Sequence, residues 1–499
     1  MAWRRPAPGD PGFTIGRMRV LRYTSHQQPH VRMVSDEQIQ ELHLATLEIL
    51  ERTGVEVKQK RAVELLEKAG ARVEGERVCI PADLVENAIR SAPERVVVCS
   101  RTGERVMPLE ANRVFFGTGS DTPNTIDPET RERRRARRKD VERIARLCDA
   151  LPNMDFIMSM GVAGDVPEQA PFVYEFADMV AGSSKPIVFT ASDERDMADI
   201  YEMAVAVCGG EIELRRNPFL LHYAEPITPL IHSPTGLRKL LFCADHRLPV
   251  AYVSGMSAGT GSPATLAGAL AIVNAECLSG LVIHQLAAPG APFIYGANVS
   301  VVDWRTLTMV YGGPELPLTN AALAQMARRY RLPCWGMAGT SDAKTVDAQA
   351  GLEAMQSILM AVLSRGNLVH DVGYIESGLT SSMEMIAVCD EMIAMARMLF
   401  RGIPVDDEHL ALDLVEEVGI GGQFYATEHT AKFFRTDHFL PRLLDRDNYD
   451  GWKTKGCRSL EDKANACVLE ILASHRPAPV PDGAQEVIAS VLARWAARC

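Results

Sequence analysis

Several common signatures of enzyme chemistry are missing from this 499-residue chain. It has no G-x-x-x-x-G-K-S/T loop, which excludes P-loop phosphate chemistry, and no G-x-G-x-x-G follows a predicted strand, so a dinucleotide fold is not indicated. The 11 cysteines are odd in number, scattered, and form no C-x-x-C pair. That usage excludes a disulfide framework or a structural zinc site and fits a reducing compartment. Positive charge is not in excess: 53 Lys and Arg face 64 Asp and Glu, a net charge of −11. A nucleic-acid binder with a general basic face is therefore excluded. The Arg-rich start, with Arg4, Arg5, Arg17, Arg19 and Arg22, carries no apolar core of a signal peptide. The longest apolar stretch, Leu266–Pro289, contains Asn274, Glu276 and His284 and reads as a buried barrel helix, not a membrane span. A cytoplasmic protein is expected.

What is present is a repeating beat. Short apolar runs recur eight times, each followed by a helical pattern: Arg113–Gly117, Met154–Gly161, Pro186–Thr190, Pro218–Ala224, Pro249–Gly255, Pro292–Ala297, Pro333–Gly339 and Asn367–Gly373. Five open on proline, which suits a first strand residue that can lack a ladder donor. Eight strands alternating with eight helices over roughly 290 residues predict an α/β fold, a TIM (β/α)8 barrel. The organisation expected is an N-terminal tail (1–32), a small α+β cap (33–110), the barrel (111–400) and a helical C-terminal extension (401–499). In the cap, Ser35 and Gln38 have capping-box spacing, and Arg95–Cys99 is one of two short strands. Ser262 and Pro263 are expected to start the fifth barrel helix as N-cap and N1.

A barrel of this kind keeps its chemistry on the loops at the C-terminal strand ends. Strand one ends in Gly117-Thr118-Gly119-Ser120-Asp121, with Asp121 at that face or capping a tight turn. The basic run Arg133–Lys139 is either a contact for an acidic partner or for the phosphate of a large cofactor, or a solvated run ahead of the helix at Asp140. Strand four offers Tyr223 and Glu225 on one side by its two-residue period; Glu225 could hold a cation or cap a loop. Loop five is rich in glycine, Gly259 and Gly261 included, and could seat an anion or a flat partner surface. Loop six gathers Tyr295, Trp304 and Tyr311, three of only 16 Trp and Tyr residues, beside Arg305. Aromatic faces attract quaternary ammonium groups, and Arg305 could pair with a carboxylate on the same ligand or simply with Asp303. Loop seven has Asp342 and Lys344, which could equally cap the next helix. Strand eight carries His370 inside an apolar run, then Tyr374 and Glu376; His370 and Tyr374 share one side and Asp371 the other. A core histidine with a good partner is the alternative.

The same loops resemble the trimethylamine methyltransferase family. The resemblance lies in Asp303-Trp304-Arg305-Thr306, Tyr311-Gly312-Gly313-Pro314-Glu315, Asp347 through Glu353 and Gly378 through Ser382. It extends to Asp127-Pro128-Glu129-Thr130, Leu151 through Asp155, and the stretch from Glu416 through His429-Thr430 to Tyr449, Trp452 and Gly456. It covers residues 35 to about 475. It implies a barrel enzyme that moves a methyl group from a methylated amine to the Co(I) cobalamin of a separate small corrinoid-binding protein. The founding members contain pyrrolysine. This chain has only standard residues, with Asp342–Lys344 in the region concerned, so it is similar to the subgroup acting on quaternary amines such as glycine betaine, proline betaine or carnitine. No D-x-H-x-x-G cobalamin motif occurs, so the corrinoid is expected on the partner, with no metal bound by this chain. On this reading Tyr295, Trp304, Arg305, Tyr311, His370, Tyr374 and Glu225 bind substrate, and Asp121, Gly259, Gly261, Asp342, Lys344 and Glu376 line the corrinoid-facing loops. No membrane or nucleic-acid partner is expected, and a homo-oligomer is. A barrel lyase or hydrolase using the loop carboxylates and His370, or a non-catalytic quaternary-amine binding protein, are the alternatives.

Overall fold

The computed structural model describes residues 29–498. Most of the expected tail, with its five arginines, and Cys499 lie outside the described residues. The eight expected strands close into one ring. They are β1 (Phe115–Phe116), β2 (156–157), β3 (Ile187–Phe189), β4 (Leu220–Ala224), β5 (Val250–Tyr252), β6 (Phe293–Asp303), β7 (Cys334–Met337) and β8 (Leu368–His370). Six parallel ladders run from β3 through β8 and on to β1. Closure is thinnest at β2, where single parallel bridges, Gly117 to Phe156 and Ile157 to Ile187, complete the circle. The helices are α1 (Arg138–Ala150), α2 (Pro171–Gly182), α3 (Glu194–Cys208), α4 (Pro234–His246), α5 (Leu266–Ala287), α6 (Glu315–Tyr330), α7 (Ala348–Ser364) and α8 (Met383–Arg401).

The two-residue strand period sorts the barrel into two cores. Met158, Val188, Leu221, Ala251, Val253, Ile294, Trp335 and Leu368 fill the lumen. Their neighbours along each strand pack outward on the helices. The floor is a hairpin, Val96–Val98 with Met107–Leu109, whose Val96, Val98, Met107 and Leu109 join the lumen cluster. Cys99 donates its backbone N–H to Pro218 just before β4, which fixes the hairpin at the N-terminal end of the strands. The sequence reading put Arg95–Cys99 in a cap ahead of the barrel; the structure uses it as the plug.

Helix α5 is apolar all round because it is covered on both sides. The sheet lies beneath it, and the helices Asp36–Glu48 and Ala82–Ser91 lie above. It is long and apolar enough to cross a membrane, yet 78% of that window is buried within the protein, as in a core helix. The helix starts at Leu266 behind Thr265, not at Ser262-Pro263. Ser262 instead bridges to Ala258 and its carbonyl accepts from Gly259, so those residues close loop five. The capping box at Ser35 and Gln38 forms. Beyond α8, the helices Asp407–Leu410, Leu412–Val418, Glu428–Asp437 and Tyr449–Thr454 bury no residue, whereas Leu460–Ser474 and Asp482–Arg498 return to the barrel.

Candidate active site

Residues whose side chains share the lumen's parity continue upward from the packed layer that Trp335 of β7 tops. From β4 come Tyr223 and, just beyond, Glu225; from β8 comes His370. Trp335 lies 5.0 Å from the Tyr223 ring and 4.4 Å from His370, and Tyr223 lies 5.8 Å from His370. The Tyr223 hydroxyl donates to Glu225. The indole N–H of Trp335 is buried and has no acceptor. Asn298, at the upper part of β6, donates to His370 Nε2 at 3.2 Å. That leaves the ring proton on Nδ1, 2.6 Å from Asp371 Oδ1, in a contact that is electrostatic in geometry.

Strand alternation predicts Asp371 on the opposite side from His370, and the structure corrects this. Asp371 has φ +69° and turns the chain back across the mouth. A Cβ added at Gly119 would lie 2.0 Å from Asp371 Oδ1 and 2.4 Å from the Tyr374 hydroxyl, so only glycine admits this approach. Tyr374 donates to the carbonyl of Ser120. Tyr311 arrives from loop six and lies against Gly378, next to the Tyr374 ring. Asp121, also at positive φ, receives the Ser120 hydroxyl at 3.0 Å and the Thr190 hydroxyl at 3.4 Å.

The result is a concave mouth walled by Tyr223, Tyr311, Tyr374 and Trp335, with Asp121, Glu225 and Asp371 between them. Asp121 and Glu225 stay in contact with solvent while protein atoms surround them, as expected for side chains lining a cavity. Burial pushes the Asp121 carboxyl up to about 6, and the nearby Asp371 charge adds to the rise. Burial also raises Glu225, against the donated Tyr223 hydrogen bond and the nearby His370. Glu175, on α2 behind Asp121, is raised well above the carboxylate range by burial and then by Asp121. Lys239 approaches from α4; burial lowers its pKa, and its ammonium donates to the Ala191 carbonyl at 2.7 Å. Among the described residues, no three His, Cys, Asp or Glu side chains converge closely enough to hold a metal ion. The carboxylates ring a space instead of meeting at a point.

The other expected site residues lie elsewhere. Tyr295 does not reach the mouth: Ile294 takes the lumen side of β6, so Tyr295 points outward. Its hydroxyl donates to Asn274 on α5 at 2.8 Å and its ring packs edge-on to Tyr330 of α6 at 5.4 Å. Trp304 is 64% exposed on the outer rim and lies over Gly259, whose added Cβ would be 2.6 Å from the indole. Arg305 is turned to solvent and forks onto Asp303. Gly261 sits against Thr228 in loop four. Asp342 accepts from the backbone N–H groups of Tyr311 (2.8 Å) and Gly312 (3.0 Å) and from Ser377 (2.8 Å), so it ties three loops together. Lys344 donates to the Asp342 carbonyl at 2.7 Å. Glu376 receives Arg133 at 2.8 Å, Arg134 pairs with Asp127 and Asp140, and Arg138 pairs with Asp178, while Arg135, Arg137 and Lys139 are exposed. The paired arginines tie the run to the barrel, and its other basic side chains form a solvated face. Sequence reasoning missed Trp335, Asn298 and Lys239. The parity of β7 could have flagged Trp335; nothing local flags the other two.

A family model for trimethylamine methyltransferases matches residues 12–499. The chain is 33% identical over 460 residues to a trimethylamine methyltransferase of Desulfitobacterium hafniense strain DSM 10664 / DCB-2, covering 92% of each chain. It is 31% identical over 451 residues to a glycine betaine methyltransferase of Desulfitobacterium hafniense strain Y51, covering 90% of this chain and 94% of that one. Among solved structures, the Methanosarcina barkeri monomethylamine methyltransferase aligns with a TM-score of 0.51 at 11% identity over 93% of this chain and 88% of that one, a likeness of fold.

Proposed function

The chain belongs to the trimethylamine methyltransferase family and is a methyltransferase acting on methylated amines; from that premise we propose that it moves a methyl group from a quaternary amine to a corrinoid carried by a separate protein. The observation that carries the reading is the mouth itself: four aromatic side chains and three carboxylates around a space open to solvent, at the catalytic end of the barrel. A cation with apolar methyl groups is the ligand such a wall suits. A quaternary ammonium leaves as a neutral tertiary amine, so the departing group needs no proton from the protein.

A Co(I) corrinoid, when docked, supplies the nucleophile. The chain therefore has to bind, orient and shield. Burial pushes the thiols of Cys148, Cys277 and Cys334 up to about 12, which keeps these three unreactive. Tyr223, Tyr311, Tyr374 and Trp335 would hold the ammonium methyls; Glu225, Asp121 and Asp371 would balance the charge; Asn298 and Asp371 would fix the His370 ring. Alignment of one methyl carbon with an incoming atom is where such a site gains its rate. The rim suits a flat macrocycle on a docked protein. Gly259 leaves room for the Trp304 indole against loop five, and Ile227, Leu307 and Met309 expose apolar side chains. Lys344 and Glu376 lie on the adjoining loops.

The test is turnover with and without the partner. The purified chain alone should demethylate no amine. Adding a reduced corrinoid protein should release the tertiary amine. Release at the same rate without any corrinoid would favour a hydrolase or lyase, and tight binding without release in the complete system would favour a binding protein.

A further inference from the structure

We propose that the cavity selects a quaternary ammonium that carries no carboxylate, such as tetramethylammonium or the hydroxyl-bearing choline, over betaines; this rests on the quaternary-amine reading above. Three carboxylates, Asp121, Glu225 and Asp371, come from three different strand ends and face one space. Gly255, whose added Cβ would be 3.6 Å from Glu225 Oε1, keeps the loop-five side of that space open. Among the described residues no three acidic, cysteine or histidine groups converge as a metal site would require.

Several cations on the loops around the mouth are paired among the described residues. Arg305 forks onto Asp303, Arg133 pairs with Glu376, Arg134 with Asp127 and Asp140, and Arg138 with Asp178. Lys344 donates to a loop carbonyl. Two basic groups near the mouth already face its acids: His370 Nδ1 lies against Asp371, and the Lys239 ammonium, which donates to the Ala191 carbonyl, is within electrostatic reach of Asp121 and Glu225. A betaine would place a fourth carboxylate beside the three in place, and like charges at close range repel more strongly as water is excluded. A hydroxyl tail meets no such repulsion. It can donate to a cavity carboxylate.

Calorimetric titration of the unliganded full-length protein at pH 7.5 tests this without any turnover, using tetramethylammonium, choline, glycine betaine and carnitine. Choline and tetramethylammonium should bind at least tenfold more tightly than either carboxylated ligand, equivalent to about 1.4 kcal/mol. Glu225→Gln should weaken choline and leave glycine betaine unchanged or improved, which narrows the gap. Glycine betaine or carnitine binding as tightly as choline would overturn the selectivity while leaving the quaternary-amine reading intact. Binding of none of the four would sink both.

Discussion

Asp121 concentrates the electrostatics of the mouth in one side chain. With its carboxyl pushed up to about 6, part of the population is protonated near neutrality, and a bound cation stabilises only the ionised form. The sign follows: cation affinity should rise as pH climbs from about 5 to about 7, and a bound cation should draw the apparent pKa down. The same displacement makes the free protein lose stability as pH rises between the ordinary carboxylate range and about 6, because the folded state holds the proton more tightly. Titrating choline at several pH values checks the first statement. Asp121→Asn should remove the part of the rise centred near pH 6; an unchanged profile would assign that step to another group. Magnitudes separate the roles of the walls. An ammonium at about 5 Å from one carboxylate gains about 3 kcal/mol at an effective dielectric of ~20, whereas each aromatic face contributes roughly 0.5–2 kcal/mol. The acids set the charge selected, and the rings shape the pocket to methyl groups.

At the scale of elements, the strand beat was legible because a short apolar run marks each barrel strand, five of the eight behind an opening proline, independently of tertiary context. Position around the mouth was less so. Tyr295 shows why: within a run apolar on both sides, periodicity does not say which parity faces the lumen, and Ile294 took that side. Asp371 shows a second limit, since its positive φ breaks the alternation on which its expected side depended. Asn298 and Lys239 reach the mouth from an extended β6 and from α4, and no local pattern announces either approach. A pair of substitutions separates the helix-facing from the mouth-facing tyrosine. Tyr295→Phe deletes the hydroxyl that satisfies Asn274 Oδ1 in a buried network with Tyr330. It should cost about 1–3 kcal/mol of stability in urea unfolding and leave ligand affinity unchanged. Tyr311→Ala should weaken choline by roughly 0.5–2 kcal/mol. The reverse pattern would put the aromatic wall in the wrong place.

On the scale of the whole molecule, the segment after α8 is the part least explained by a lone chain. Ile403, Val405, Leu412, Ile420, Tyr425 and Tyr449 are all more than two-thirds exposed, and the four short helices among them bury nothing. Exposed apolar surface on that scale marks an interaction site, and a second copy of the chain is the cover we propose. Sedimentation equilibrium should then show a homo-oligomer, and replacing Ile420 and Tyr425 together by Ser should shift it toward monomer; a wild-type monomer would contradict this. The barrel, by contrast, closes on itself. The central claim is that this chain hands a methyl group from a quaternary amine to Co(I) on another protein. Its most direct measurement is the visible absorption of a reduced corrinoid protein mixed anaerobically with a catalytic amount of this chain and excess choline. The account predicts loss of the Co(I) spectrum, appearance of the methyl-cobalt spectrum, and one tertiary amine formed per cobalt methylated. A Co(I) spectrum that persists with every quaternary amine offered, while the corrinoid protein remains competent with a known methyltransferase, would contradict it.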